Sequence, residues 1–532
     1  MNRPSIWTGT LVGALLTAAL LALFAAAQLV GLPFVPFDLF DWLARVLPGP
    51  VITFGIDLIV NLITTLNLDA TSDAAKAAEQ TLAVMGPFVL GVLAGGALFA
   101  FLRTRDKPTM LPGLVLGAVS GVAALLISNS VNQTATVGPL LSGLWILLAF
   151  TGWGAALNAV YNQLAALPQE QTASQAARLN RRQFLVRVAG AAAVITVVGG
   201  SVGALLSREE EVALAPGKRW SERNALPNAN ASLEPASGTR PEFTPLDRHY
   251  RIDINTTPPT VNEEEWRLEV SGLVEEPLTF TLADLRDNYR PLHQFVTLAC
   301  ISNRLAGDLI STTRWTGVSM QDLLPELGLQ ESATHLKINS VDGFYEVVAL
   351  ETIENDERVM LTYAWDGVPL RTGHGFPLRI YIPDRYGMKQ PKWIRSIEAL
   401  GDWEAGYWVT RGWDREARMR ATSVIDTVAT DMMISEADDS TLVPVGGVAH
   451  AGARGISKVE VKVDDSEWQE AELREPLSGL TWVIWRFNWA FRPGEHTFTV
   501  RCTDGEGNMQ IAERNPVRPS GATGLHSEEV ML

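Results

Sequence analysis

The sequence predicts a multi-domain chain: an all-α membrane region, then an α+β domain, then an all-β sandwich. Three observations lead there. Apolar runs of about the length that crosses a hydrocarbon core, roughly 20 residues, crowd the first 206 positions. Between 246 and 425 short alternating runs are mixed with short helical ones, and from Leu442 onward alternation continues alone.

Charge divides the chain in the same way. Residues 1–206 carry a net +2 and the remainder −18, so the two parts meet different solvents. An acidic soluble part excludes nucleic acid as a partner, because its phosphates need a basic surface. Cys300 and Cys502, the only two cysteines, fall in different predicted domains, and no disulfide is expected.

In chain order, membrane spans are predicted at 11–30, 82–102, 110–127, 137–161 and 188–206. Arg103, Arg105 and Lys107 form one basic loop and Arg178, Arg181 and Arg182 another, both cytoplasmic by the positive-inside rule; the uncharged 129–136 lies outside. The last span therefore runs outward, and the chain from residue 207 onward is expected beyond the membrane. Residues 51–68 are apolar but contain Asp57 and Asn61. The favoured count is five helices, with 34–68 as amphipathic segments on the outer surface, and it becomes six if 51–68 crosses. Asn180-Arg181-Arg182-Gln183-Phe184-Leu185 resembles a twin-arginine export signal, a route for folded proteins across a bacterial cell membrane. Ala213-Leu214-Ala215 looks like a signal-peptidase site but is succeeded by Pro216, and no cleavage is expected.

Residues 207–245, rich in Glu, Asn, Pro, Ser and Gly, read as an exposed linker. Runs at 250–254, 266–270 and 278–282 alternate as strands do, while 283–286 and 320–324 read as short helices, giving an α+β domain over 246–425. In 426–532, Val459, Val461 and Val463, then Val483, Trp485, Phe487 and Trp489, then Phe498, Val500 and Cys502 alternate between turns. That pattern predicts a β-sandwich of immunoglobulin type.

Chemistry concentrates at 295–324. Cys300 closes an apolar strand-like run and opens a polar loop, a position that lets a single thiolate reach a metal that brings its other ligands. No other Cys or His lies within a few residues, so zinc spacings are absent. Cys300-Ile-Ser-Asn303-Arg304, Thr313-Arg314-Trp315-Thr-Gly317 and, further on, His374-Gly-Phe-Pro-Leu-Arg379 with Arg385-Tyr-Gly-Met-Lys389 and Lys392-Trp393-Ile394 resemble the sulfite oxidase family of molybdenum enzymes. The resemblance covers the chain from about Arg240 onward. It implies a molybdenum-molybdopterin cofactor with Cys300 as the protein ligand to the metal. It implies cofactor contacts from Tyr250, Arg251, Asp253, Asn303, Arg304, His374, Arg379, Lys389 and Lys392, the cations meeting the pterin's phosphate. Trp315, Tyr407 and Arg411 are the expected substrate-side catalytic residues, although this sequence departs from the arginine-rich pattern of sulfite-oxidising members there.

All seven histidines lie beyond residue 240, so the spans offer no bis-histidine haem site, and no haem is expected. Electrons would then leave through a separate partner, a cytochrome or a quinone-linked protein. The reading is a membrane-bound molybdopterin oxidoreductase that transfers an oxygen atom to or from a small sulfur compound or oxyanion on the extracytoplasmic side, and the resemblance implies that the sandwich makes a homodimer contact. The alternative is a catalytically inactive scaffold on a membrane anchor.

Overall fold

The computed structural model describes residues 3–52, 54–55, 71–105, 109–131, 135, 137–166, 190, 219–435 and 441–532. They fall into two units, one of Met1–Leu66, Ala74–Glu210 and Ile254–Pro259, the other of Asn67–Asp73, Glu211–Asp253 and Thr260–Leu532.

The first unit holds helices α1 (Ile6–Gln28), α2 (Val35–Val46), α3 (Thr71–Leu102) from Ala74 onward, α4 (Leu111–Val131) and α5 (Pro139–Ala166). All but α2 are long and apolar enough to cross a membrane. Apolar helices gain little by hiding from lipid, so close approach between them has to come from small residues. A Cβ added at Gly154 of α5 would stand 2.2 Å from the Gly113 carbonyl of α4. Asn158 closes the same seam, accepting from the Gly113 N–H and donating to the Thr109 carbonyl, each at 2.9 Å. The span expected at 188–206, residue 190 apart, the arginine pair at 181–182 and most of 51–68 lie outside the described residues.

Within the segment expected as amphipathic, α2 forms, but its two acids face inward. Asp38 accepts from the Ser128 hydroxyl at 2.6 Å, and Asp41 accepts from the Thr256 N–H at 3.0 Å. Arg45 and Gln80 add bonds to Asn255 and to the Thr256 carbonyl, so polar groups on α2 and α3 hold this short stretch of the same unit.

In the second unit, residues 219–245 are not a free linker. Ser221 donates to Asp366 at 2.7 Å, and Arg474 donates to Glu242 at 2.6 Å and to the Asn228 carbonyl at 3.3 Å. The groups that hold this segment come from far along the chain, where composition does not reach.

Ten strands come next in the chain: β1 (Leu268–Gly272), β2 (Leu278–Phe280), β3 (Leu292–Ala299), β4 (Ile310–Ser319), β5 (His335–Ser340), β6 (Tyr345–Ala349), β7 (Met360–Trp365), β8 (Val368–Pro369), β9 (Arg379–Tyr381) and β10 (Ile394–Leu400). They build two sheets, β2-β1-β10-β5-β6 and β3-β4-β7-β8 with β9 on β7. Leu268, Val270, Leu336, Ile338 and Ile397 of the first share a core with Val318, Leu361 and Ile380 of the second. Residues 250–254, expected as a strand, are irregular. Tyr250, Arg251 and Asp253 turn their side chains to the cluster around Cys300 and Lys392 rather than to a ladder.

The C-terminal part is all β: β11 (Thr422–Val428), β12 (Ile434–Ser435), β13 (Thr441–His450), β14 (Ile456–Val463), β15 (Gln469–Leu473), β16 (Val483–Ala490), β17 (Glu495–Asp504) and β18 (His526–Met531). Rather than two separate sheets they form one ladder, β11-β13-β16-β15-β14-β17-β18, in which β15 pairs first with β14 and then with β16. Its ends meet where the Ile425 N–H donates to His526 Nδ1, so the sheet is nearly closed. The alternating residues from Val459 to Cys502 that predicted it are all buried.

Candidate active site

β3 sets the position of Cys300. Along it Val296, Leu298 and Cys300 face one buried cluster, with Tyr250, Trp315, Trp365 and Tyr381, as the period of two requires. The opposite phase turns away, and there the Thr297 N–H donates to the Leu480 carbonyl at 2.9 Å while its hydroxyl accepts from the Trp482 N–H at 2.8 Å. The loop after the strand is tied shut at both ends. Cys300 N–H reaches the Leu309 carbonyl at 2.9 Å, Asn303 N–H reaches the Cys300 carbonyl at 3.0 Å, and the Asn303 side chain accepts from the Leu309 N–H at 3.0 Å. Cys300 itself is 9% exposed, with Sγ 3.0 Å from the Ser302 hydroxyl. Burial pushes its thiol up, against the pull of Ser302, nearby backbone N–H groups and Lys392.

β9 brings the principal cation by the same alternation. Leu378, Ile380 and Ile382 enter the apolar core, so Arg379 turns to the other face, where its guanidinium lies 4.5 Å from the Trp315 ring centre. It donates to the His374 carbonyl at 3.1 Å, and burial pushes it down to about 10. Gly375 makes the approach possible: its φ is +111°, and a Cβ there would stand 3.1 Å from Arg379 Cβ and 3.2 Å from Lys392 Cβ. Lys392 donates to Asp253 at 3.3 Å and to the Gly373 carbonyl at 3.1 Å, and Arg251 donates to the same Asp253 at 2.8 Å. Burial pushes Lys392 down to about 7, opposed chiefly by Asp253. Three buried or half-buried cations thus gather against Asp253 and the more distant Asp342.

His249, unmarked in the sequence, completes the cluster. It lies between Tyr250, Trp315, Trp365 and His374, with ring centres 5.3–5.9 Å away. Nothing in the spacing of Arg248-His249-Tyr250 distinguishes a ligand from a core histidine.

The remaining expected residues stand elsewhere. Lys389 donates to the fully buried Glu346 at 2.7 Å and to the Val347 carbonyl at 3.2 Å, in a buried ion pair of its own. Tyr407 and Arg411 stack on each other at 3.7 Å, and Tyr407 packs on Phe344 and Tyr345. Arg304 is exposed and lines a small cleft with Asn303, Arg240, Arg420, Tyr386 and His450.

A molybdenum-pterin group makes demands that this cluster can be tested against. Among the described residues, buried His249 Nε2, His374 Nδ1, Arg379 Nε, Trp315 Nε1 and Trp365 Nε1 have no hydrogen-bond partner. Leaving a polar atom buried and unpaired costs about 1–3 kcal/mol, so such a concentration at one place points to a ligand that supplies the missing bonds. The excess of cations suits a phosphate, and the buried thiol suits a soft metal. The residues fit the group.

Residues 255–408 match the oxidoreductase molybdopterin binding domain. The chain is 27% identical over 300 residues to mitochondrial sulfite oxidase of Rattus norvegicus, covering 47% of this chain and 54% of that protein. It is 26% identical over 285 residues to the NAD(P)H nitrate reductase of Hordeum vulgare, covering 44% and 32%. It spans about half the length of the sulfite oxidases it matches. Among solved structures, the sulfane dehydrogenase SoxCD of Paracoccus pantotrophus aligns with a TM-score of 0.48 at 20% identity over 56% of this chain and 82% of that one. The stretch that matches this domain brings the cysteine, histidine and arginine of the motifs around one buried cluster, and over about 300 residues the chain is similar to sulfite oxidases and nitrate reductases.

Proposed function

We propose that this protein is a membrane-anchored, molybdopterin-dependent oxidoreductase acting on the extracytoplasmic side of a bacterial membrane. Its reaction is two-electron oxygen-atom transfer on a small sulfur compound or oxyanion. The observation that carries this reading is the buried thiol of Cys300 beside cations and orphaned N–H groups that no acceptor among the described residues satisfies.

In this reading Cys300 gives its thiolate to the metal, and the bound group supplies the two-electron exchange of oxygen. Arg379, Lys392 and Arg251 hold the phosphate end, Asp253 keeps two of them in register, and His374 and Tyr250 flank the pterin. Trp315 supports Arg379 through its ring face. Asn303 holds the loop behind the thiol, and Arg304 stands at its mouth. Tyr407 and Arg411 guide substrate, and Lys389 fixes the β6 region through Glu346. Helices α1, α3, α4 and α5 anchor the chain, a separate cytochrome or quinone-linked protein takes the electrons, and the C-terminal sheet, read as an immunoglobulin-type module, makes a homodimer contact.

Metal analysis of the purified full chain, joined to turnover assays of sulfite with an electron acceptor and of methyl sulfoxides with a viologen donor, tests this. About one molybdenum per chain and turnover of either substrate are expected. A chain purified from a molybdopterin-making host without molybdenum sinks the reading, and full metal loading with neither turnover sinks both substrate classes.

A further inference from the structure

Two histidines meet inside the cluster, and their protons can be placed. His249 Nδ1 lies 3.2 Å from the Tyr250 carbonyl, and His374 Nε2 lies 3.2 Å from the His249 carbonyl. A carbonyl can only accept, so each of these nitrogens carries its hydrogen. The other ring nitrogens, His249 Nε2 and His374 Nδ1, are then bare lone pairs, buried and without a partner among the described residues. Neither ring can turn cationic in place: burial and the charges of Arg379 and Lys392 push His249 down to about 3 and His374 well below its ordinary value. Also unsatisfied nearby, Arg379 Nε and the Trp315 and Trp365 indoles are donors, while the Thr362 hydroxyl, paired with Arg379 across β7 and β9, can donate or accept.

We propose that His249 is a second pterin-reading residue, its bare Nε2 accepting an N–H of the heterocycle while His374 Nδ1 accepts another. The inference rests on the proposed cofactor. A phosphate, a dithiolene or an oxo group offers only acceptors, and none of them satisfies a naked imidazole nitrogen. A pterin carries ring and exocyclic N–H donors, so the heterocycle is the part of the group that these two nitrogens match. The cations then serve the phosphate, and the histidines serve the ring, so the two ends are recognised by opposite hydrogen-bond character.

Two variants of similar bulk separate recognition from packing. His249→Gln keeps an acceptor oxygen, and His249→Met removes it. Full chains are expressed in a molybdopterin-making host, and pterin is released oxidatively and counted by fluorescence alongside molybdenum. His249→Met is expected to hold about tenfold less pterin than the unaltered chain and His249→Gln at least half as much. Equal loading of Met, Gln and unaltered chains overturns the inference.

A second measurement covers the case in which Met at 249 does not fold. In the unaltered chain labelled with 15N-histidine, the bare-nitrogen resonance that disappears in His249→Gln should move toward lower frequency when the cofactor is loaded. No movement overturns the inference. An unaltered chain that contains neither molybdenum nor pterin defeats the proposed function and this inference together, whereas a loaded chain with an unmoved resonance defeats only the inference.

Discussion

The two cysteines are both buried and sit in entirely different surroundings. Cys502 lies mid-strand on β17, 1% exposed, opposite Val459 and among Val500, Phe498 and Trp485. Its Sγ sits 3.3 Å from Gln510 Oε1, which also accepts from its N–H, and burial pushes the thiol up to about 12. Cys300 lies at a strand end, beside a hydroxyl, a loop of N–H groups and Lys392. Burial alone therefore does not distinguish a reactive sulfur from a packing one. The neighbours do, because the Cys502 thiol and N–H share an acceptor in Gln510, whereas around Cys300 several buried polar atoms find no partner among the described residues.

Substitutions can break that contrast. Cys300→Ser should abolish molybdenum-dependent turnover and leave the fold intact by circular dichroism; retained turnover would make the two cysteines alike. Arg379→Gln should lower pterin content by about tenfold or more, the worth of a charge-assisted bond, measured by released-pterin fluorescence. Cys502→Ala should leave metal content unchanged and cost about 1–2 kcal/mol in chemical denaturation, as loss of a small buried side chain does.

A pH titration sharpens the comparison. His249 beside the site and His450 in the C-terminal sheet are both pushed down to about 3 by burial. A folded pKa below the unfolded value means that the unfolded chain takes up the proton first, so stability is lost as pH falls from about 6.5 toward 3. The limit is about 5 kcal/mol for each ring. His450→Gln should flatten part of the acid limb of the cofactor-free chain without changing pterin content, whereas His249→Gln should flatten a similar part and alter the binding region. Acid limbs unchanged in both variants would refute the neutral assignment.

Much of this was legible from spacing. Alternation placed Cys502 in the core, and the motifs named Cys300, His374, Arg379 and Lys392, which the fold brings around one buried cluster. Long-range answers were not legible. Lys389 finds Glu346 across 43 residues, Arg474 holds a segment read as a linker, and Asp38 and Asp41 turn inward on a helix whose composition suited a surface. His249 was invisible because its role depends on which carbonyl each ring nitrogen meets, and that is decided by tertiary packing.

The edge of β3 has a practical consequence. In its sheet β3 is the outermost strand, and its outer side is met by the loop at 478–482, through Thr297 and through the Ser478 hydroxyl on the Phe295 carbonyl at 2.5 Å. Severing the chain near residue 430 to isolate the part that matches the molybdopterin domain would uncover hydrogen-bonding groups on a long apolar strand, the kind of margin along which chains join end to side and precipitate. Recombinant work on that part should therefore carry the C-terminal sheet along with it, as the piece that keeps the thiol's own strand from recruiting a neighbour.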